Sequence, residues 1–230
     1  MKVLSTKSLD EAIIAQARSL GLDMEYMDFI ETVRKDFDVT SVKTGFDSEV
    51  FTSANAVKYF FENKGAAELL SNRNIFSLSG KTQEELHKHD LNAILVEENA
   101  ADLADAIIQS KSSKSVLHIA GNLTLDTLEK KLKAAGIDYN RLVVYQTILK
   151  GQKLTDADFD VIMFYSPSGI EGFFTNNEFD DQVTYCCIGN TTANALKGKY
   201  SDAKIILPLH PTPESMLDAI YQLTKPAIKP

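Results

Sequence analysis

The chain has 230 residues, enough for two small domains of about 100 to 120 residues each or for one large one. With 44% hydrophobic and 24% charged residues it has a core to bury, which excludes a disordered or fibrous protein. The net charge of −8, with basic residues scattered along the chain, argues against nucleic acid or an anionic membrane as partner.

Taken in chain order, short β-rich apolar runs alternate with helical patterns, the signature of α/β units on parallel sheets. A strand at 2–4 precedes a helix over 9–20 that stops at Gly21, and an unusually long, half-polar extended run covers 24–33. Strands at 49–52, 75–78, 93–96 and 116–120 lead into helices at 56–63, 83–87, 101–110 and 123–135, the last ended by Gly136. A second long extended run covers 141–149. The pattern then restarts, with strands at 161–165, 184–188 and 204–207 feeding helical segments at 169–174, 192–196 and 213–223. The Pro-rich tail after Lys225 reads as frayed.

No apolar run approaches the roughly 18 residues of a membrane span. Met1–Lys7 is too poor in apolar residues for an export signal. The adjacent Cys186 and Cys187 lie in an apolar run and read as reduced thiols on a buried strand, so a cytoplasmic location is expected. The four histidines, His87, His89, His118 and His210, show no ligand spacing beyond one His-x-His in a polar connection, and no metal site is expected.

Phe51-Thr52-Ser53-Ala54-Asn55-Ala56-Val57 has a faint copy 113 positions later in Phe164-Tyr165-Ser166-Pro167-Ser168-Gly169-Ile170. The same offset pairs Asp105-Ala106-Ile107 with Asp218-Ala219-Ile220 and Val3-Leu4 with Val116-Leu117. Self-similarity at half the chain length points to two related lobes. The partner of the unit that starts at Val116 lies at the N-terminus. One lobe is therefore expected to be continuous over 34–142, and the other to be assembled from 1–33 plus 148–230. Linker strands at about 29–33 and 143–147 would carry the chain across twice.

Each repeated unit breaks at the end of a strand, in a turn of Ser, Thr, Gly or Asn that opens a helix. Ser53-Ala54-Asn55, Ser79-Gly80-Lys81-Thr82, Gly121-Asn122, Ser166-Pro167-Ser168-Gly169 and Gly189-Asn190-Thr191-Thr192 all fit. Hydroxyls and backbone N–H groups at helix starts suit an anion, and the carboxyl edge of a parallel sheet is where ligands bind. No Gly-x-Gly-x-x-Gly follows a strand. The earlier glycine of a phosphate-binding loop ending in Gly80-Lys81-Thr82 would fall on Ile75. No nucleophile motif is present. The residues by themselves point to a two-lobed α/β protein that holds an anionic ligand in a cleft without a cofactor.

The collinear set Phe51-Thr52-Ser53, Val143-Val144-Tyr145-Gln146-Thr147, Phe164-Tyr165-Ser166-Pro167-Ser168-Gly169, Ile188-Gly189-Asn190-Thr191-Thr192 and Pro211-Thr212-Pro213-Glu214 resembles the uroporphyrinogen-III synthase family over nearly the whole chain. The resemblance implies two flavodoxin-like parallel-sheet lobes joined by a two-stranded linker, one of them discontinuous in sequence. It implies a cofactor-free lyase that cyclises hydroxymethylbilane to uroporphyrinogen III, with inversion of ring D and loss of water. It places the family's favoured acid on Tyr145 and substrate-carboxylate contacts on Ser53, Thr82, Ser168, Gly169, Thr191 and Thr192. It further implies a monomer acting on this small molecule, with at most transient contact with neighbouring pathway enzymes. Two departures from the family pattern stand out: Thr6-Lys7 where Thr-Arg is common, and Leu78-Ser79-Gly80-Lys81-Thr82 where Val-Gly-x-x-Thr is common. Two other readings compete. A non-catalytic two-lobed binder would share the plan, and a flavodoxin-like regulatory module would carry acidic clusters at its strand ends.

Overall fold

The computed structural model describes residues 1–70, 74–155 and 158–225; the tail after Lys225 lies outside them. The elements run β1 (Lys2–Ser5), α1 (Glu11–Ser19), β2 (Asp23–Tyr26), β3 (Ile30–Arg34), β4 (Ser48–Phe51), α2 (Ala54–Phe61), β5 (Ile75–Leu78), α3 (Lys81–His87), β6 (Leu95–Glu97), α4 (Ala100–Ser110), β7 (Ser115–Gly121), α5 (Thr127–Ala134) and β8 (Asp138–Leu149). They continue with β9 (Val161–Phe164), α6 (Pro167–Phe173), β10 (Thr184–Cys187), α7 (Asn190–Lys199), β11 (Lys204–Ile206) and α8 (Pro213–Leu223). The chain divides into two compact units: Met1–Glu31 with the chain from Ile148 onward, and Thr32–Thr147. Both boundaries fall inside a strand, one in β3 and the other in β8.

The first unit is a five-stranded parallel sheet in the order β11-β10-β9-β1-β2. Numbered along the chain this is 2-1-3-4-5, the flavodoxin-like winding. Leu4, Ile162, Phe164 and Tyr185 meet Ile170, Phe173 and Leu196 on one face. On the other, Val3, Val161, Met163 and Cys186 meet Ile13, Ala17, Met216 and Ile220. Each Val, Leu, Ile, Phe or Met side chain among them contributes about 1.5–3 kcal/mol by leaving water.

The second unit has the order β3-β8-β7-β4-β5-β6. Five strands are parallel. The edge strand β3 runs antiparallel to β8: Lys35 N–H donates to Val144 O and Lys150 N–H to Phe29 O, each at 2.9 Å, so the residue numbers climb in opposite directions. Its core is likewise double-faced. Phe51, Ile75, Leu117 and Ile119 lie with Phe60 and Leu86, and Val50, Phe76 and Val116 with Leu103, Ile107, Leu128 and Leu132.

Numbering the second sheet from β7, as β7, β8, β4, β5, β6, again gives the spatial order 2-1-3-4-5. The ladders agree residue by residue. Leu4 faces Ile162 as Leu117 faces Glu49, and Phe164 faces Cys187 as Phe51 faces Ser77. The 113-residue echo therefore marks one winding entered at two different points of the chain.

Several elements differ at their ends from the sequence reading, β8 reaching back to Asp138 and α7 running from Asn190 to Lys199, and two differences bear on the site. The run 24–33 is two strands, because Met27 N–H still bonds Ser5 O at 3.0 Å while Phe29 O already accepts from Lys150. Both pieces are extended, so periodicity does not reveal that the chain changes ladder between them. The helix expected over 123–135 starts at Thr127. Ahead of it Asn122 N–H donates to Tyr145 O and Thr124 N–H to Gly121 O, which draws 122–126 into a loop.

Phe29 is fully buried beneath α6, and Gly172 lets that helix approach its backbone; a Cβ at 172 would overlap the Phe29 carbonyl oxygen. Gly172→Ala is expected to cost about 1–3 kcal/mol by forcing α6 outward. Urea unfolding measures this, and a midpoint equal to that of the parent chain would contradict the close approach.

Candidate functional site

In both units the polar turns stand at the carboxyl edge of the parallel sheet. In the second unit the edge is organised by an irregularity in β8. Ala120 pairs with Val143 but Gly121 pairs with Tyr145, so Val144 is the extra residue of a bulge. The bulge turns the Tyr145 ring over Gly121, where any Cβ would collide with it. The phenol donates a hydrogen bond of 3.3 Å to Ser53 Oγ. Ser53 is the N-cap of α2 and also accepts from Asn55 N–H at 3.2 Å, which leaves its own proton available to a ligand. The Tyr59 ring lies 5.7 Å from that of Tyr145 and is pinned by its hydroxyl to Thr32 O at 2.8 Å. Burial pushes the Tyr145 phenol above its ordinary value, against the opposing pull of the Ser53 bond, so it remains a proton donor at neutral pH.

Thr82 lies one strand further along the same edge, in the first turn of α3, and is only 5% exposed. The preceding Gly80 has φ +69, a left-handed turn that glycine adopts without strain.

In the first unit, Ser166 caps α6 and accepts from Gly169 N–H at 3.0 Å, and Ser168 Oγ lies 3.0 Å from Ser166 Oγ. A Cβ at Gly169 would stand 3.4 Å from Ser166 Oγ and 3.8 Å from Thr6 Oγ1, so this edge is lined by three hydroxyls. Thr6 Oγ1 donates to Met163 O at 2.6 Å, and Lys7 follows it at the surface. One strand along, Thr191 is exposed in the first turn of α7 while Thr192 is 3% exposed. Of the sequence candidates, Tyr145 and Ser53 form one hydrogen-bonded pair and Ser168 and Gly169 form another cluster around Ser166. Thr82 occupies the second turn of its own edge, and Thr191 and Thr192 the second turn of theirs.

Ser166 lies in the quoted turn but is not among the contacts that the family resemblance implies. The 113-residue offset superimposes it, not Ser168, on Ser53, and both are N-caps in extended backbone. A second omission is His118, which is fully buried on β7. Its Nε2 lies 2.8 Å from Thr52 Oγ1 and its Nδ1 2.7 Å from Tyr139 Oη. Arg141 Nε donates to Tyr139 Oη at 3.2 Å and its outer nitrogen to Asp126 and Glu129 at 3.0 and 2.7 Å. Burial, reinforced by the Arg141 charge, pushes the imidazole down to about 3, so His118 is neutral.

Among the described residues no group of His, Cys, Asp and Glu could hold a metal, and no helix is long and apolar enough to cross a membrane. Burial pushes the Cys186 and Cys187 thiols up to about 12, so neither is a nucleophile at neutral pH. A cavity of about 740 Å³ lies at the opposite, amino edge of β9 and β10, with Phe159, Phe179 and Tyr185 in its wall and Asp180, Asp181 and Asp202 around it. That carboxylate rim is unsuited to an anion, unlike the hydroxyl-lined edges.

A family model described as uroporphyrinogen-III synthase HemD matches residues 11–218. Uroporphyrinogen-III synthetase from Helicobacter pylori 26695 is similar in structure with a TM-score of 0.70 at 23% identity, covering 96% of this chain and 99% of that one. A selenomethionine mutant of uroporphyrinogen III synthase from the extremely thermophilic bacterium Thermus thermophilus gives 0.69 at 18% identity, covering 96% and 98%. The wild-type Thermus thermophilus protein in another crystal form gives 0.53 at 17% identity, covering 96% and 97%. At these identities the likeness to the solved structures is one of fold.

The buried histidine has a measurable consequence. Unfolded, it takes a proton below its ordinary value of 6.5; folded, it stays neutral down to about 3. The unfolded state therefore binds the extra proton, and stability is lost as pH falls through that window and is unaffected above it. Relative to His118→Gln, the parent chain should lose up to about 1.4 kcal/mol more per pH unit as pH drops from about 6 to about 4. Parallel pH profiles in denaturant titrations would contradict the neutral buried imidazole.

Proposed function

We propose that this chain, which belongs to the uroporphyrinogen-III synthase family, uses Tyr145 and the turn hydroxyls of its two sheet edges to close hydroxymethylbilane to uroporphyrinogen III. The family's reaction is a cyclising lyase step of tetrapyrrole biosynthesis, and it is the activity of this chain. The observation that carries the role of Tyr145 is its placement: a protonated phenol at the carboxyl edge, held over Gly121 and bonded to the capping hydroxyl of Ser53.

The chemistry asks little of a protein beyond geometry. Electrons of the terminal pyrrole expel the hydroxyl and leave an azafulvene cation. Tyr145 donates the proton with which that hydroxyl departs as water, and Ser53 can return a hydrogen bond to the phenolate. The substituted carbon of ring D then attacks the cation to give a spiro intermediate. The original bond of that carbon to the bridge from ring C breaks, and the bridge carbon, now the electrophile, bonds to the unsubstituted α-carbon of ring D, which inverts the ring. This outcome depends on how the chain of pyrroles is held. The proton lost when the final ring regains aromaticity restores the phenol. No cofactor is required by this sequence of steps.

The substrate is a polycarboxylate and the protein carries −8, so long-range attraction cannot assemble the complex. Local donors must do so. Ser53, Thr82, Ser168, Gly169, Thr191 and Thr192 are assigned to its acetate and propionate groups, each helix-start interaction contributing about 0.3–1 kcal/mol. The burial of Thr82 and Thr192 makes the backbone N–H groups of their turns the better donors there. On the same reading the protein works as a cytoplasmic monomer on a small molecule, without nucleic acid or membrane, and meets neighbouring pathway enzymes only transiently.

Tyr145→Phe is expected to lower kcat for uroporphyrinogen III formation about 100-fold with an unchanged melting temperature. Gly121→Ala should displace the same ring and lower kcat comparably, and the double variant should be no worse than either alone. Steady-state assays with hydroxymethylbilane generated in situ measure all three. Near-normal turnover of Tyr145→Phe would remove the acid role and leave positioning alone.

A further inference from the structure

The polar row Arg141–Tyr139–His118–Thr52 has no place in the reaction as described, and the winding itself does not call for it. The first unit shows this, because it builds the same ladders without the row. At equivalent positions it has Ser5 where His118 stands, Met24 where Tyr139 stands and Tyr26 where Arg141 stands. Tyr165, the counterpart of Thr52, fills the space left by the smaller Ser5, whose Oγ lies 3.1 Å from the Tyr165 hydroxyl. A serine and a tyrosine thus suffice where the second unit installs a histidine, a tyrosine and an arginine.

The row has a direction. Arg141 has donors only, and its Nε–H occupies one lone pair of Tyr139 Oη. The Tyr139 proton then points at the nearest acceptor, His118 Nδ1, 2.7 Å away. That places the imidazole proton on Nε2, 2.8 Å from Thr52 Oγ1. Thr52 receives this N–H and is left with its own proton to donate outward. Thr52 is half-buried, follows the last residue of β4 at the carboxyl edge and immediately precedes Ser53. The opposite tautomer would leave the Tyr139 proton facing the guanidinium side of a buried site and would turn the Thr52 proton inward.

We propose that Thr52 is a further contact to a substrate carboxylate, its hydroxyl held as an outward donor by His118, with Tyr139 and Arg141 as positioning residues behind it. Thr52 and His118 lie on the α4–α5 face of the sheet and Tyr145 on the α2–α3 face, so the edge would offer a donor from each side. This inference rests on the synthase reading, and its test separates the two.

Thr52→Val removes the hydroxyl at nearly constant volume and is expected to raise KM for hydroxymethylbilane about tenfold with kcat little changed, while Thr52→Ser stays near the parent value. His118→Phe should raise KM comparably alone and add nothing in the Thr52→Val background. Independent effects of the two variants, or a loss confined to kcat, would overturn the proposal. Long-range proton–nitrogen NMR on the parent chain reads the tautomer without any substitution. Protonated Nε2 and bare Nδ1 are expected, and the reverse would overturn the proposal even if His118→Phe failed to fold. If the parent chain makes no uroporphyrinogen III, the synthase reading fails instead, whatever the tautomer.

Discussion

Strand β8 is twelve residues long and lies between β7 on one side and β3 on the other, and the arrangement of the second unit's edge follows from how that strand is held. Its two ladders differ in kind, parallel on one side and antiparallel on the other. The single extra residue at Val144 interrupts the parallel ladder near the carboxyl edge. That bulge sets Tyr145 opposite Gly121, so the glycine is needed for its missing side chain and not for an unusual φ. A ring pressed onto a bare backbone loses rotamer freedom and keeps a fixed distance to Ser53. Proximity chemistry depends on this kind of restraint.

The two units show how far one winding tolerates different interiors. Equivalent strands keep the same register, yet the side chains that fill it are exchanged. Ser5 with Tyr165 answers His118 with Thr52, small against large and large against small. Packing conserves volume across the ladder and leaves polarity open to other demands. The second unit uses that freedom to seat a neutral, hydrogen-bonded histidine and tyrosine in its core, with the half-buried Arg141 paired to Asp126 and Glu129 behind them.

Much of this was legible in the residues. The offset that relates Phe51 to Phe164 and Val3 to Val116 holds through the ladders, because parallel pairing preserves spacing on both partners. Gly21 and Gly136 ended their helices at φ +71 and +78, as their position after an apolar period implied. The division of 24–33 into two strands is not legible in its periodicity, since both halves are extended and only their partners differ, whereas the order of the repeated units places a linker strand at about 29–33, where β3 lies. Family likeness points to Ser168, whereas the cap is set by which hydroxyl reaches a free N–H, and that hydroxyl is Ser166. His118 could be read as a strand residue but not as a link, because Tyr139 and Arg141 approach it only through the pairing of β7 with β8.

The most direct measurement is the isomer composition of the porphyrins obtained when hydroxymethylbilane is generated in the presence of the parent chain and the product is oxidised and separated. Edges that hold the pyrrole chain for attack through the substituted position of ring D predict predominantly isomer III. Isomer I alone, the product of unassisted closure, would contradict the account at its centre.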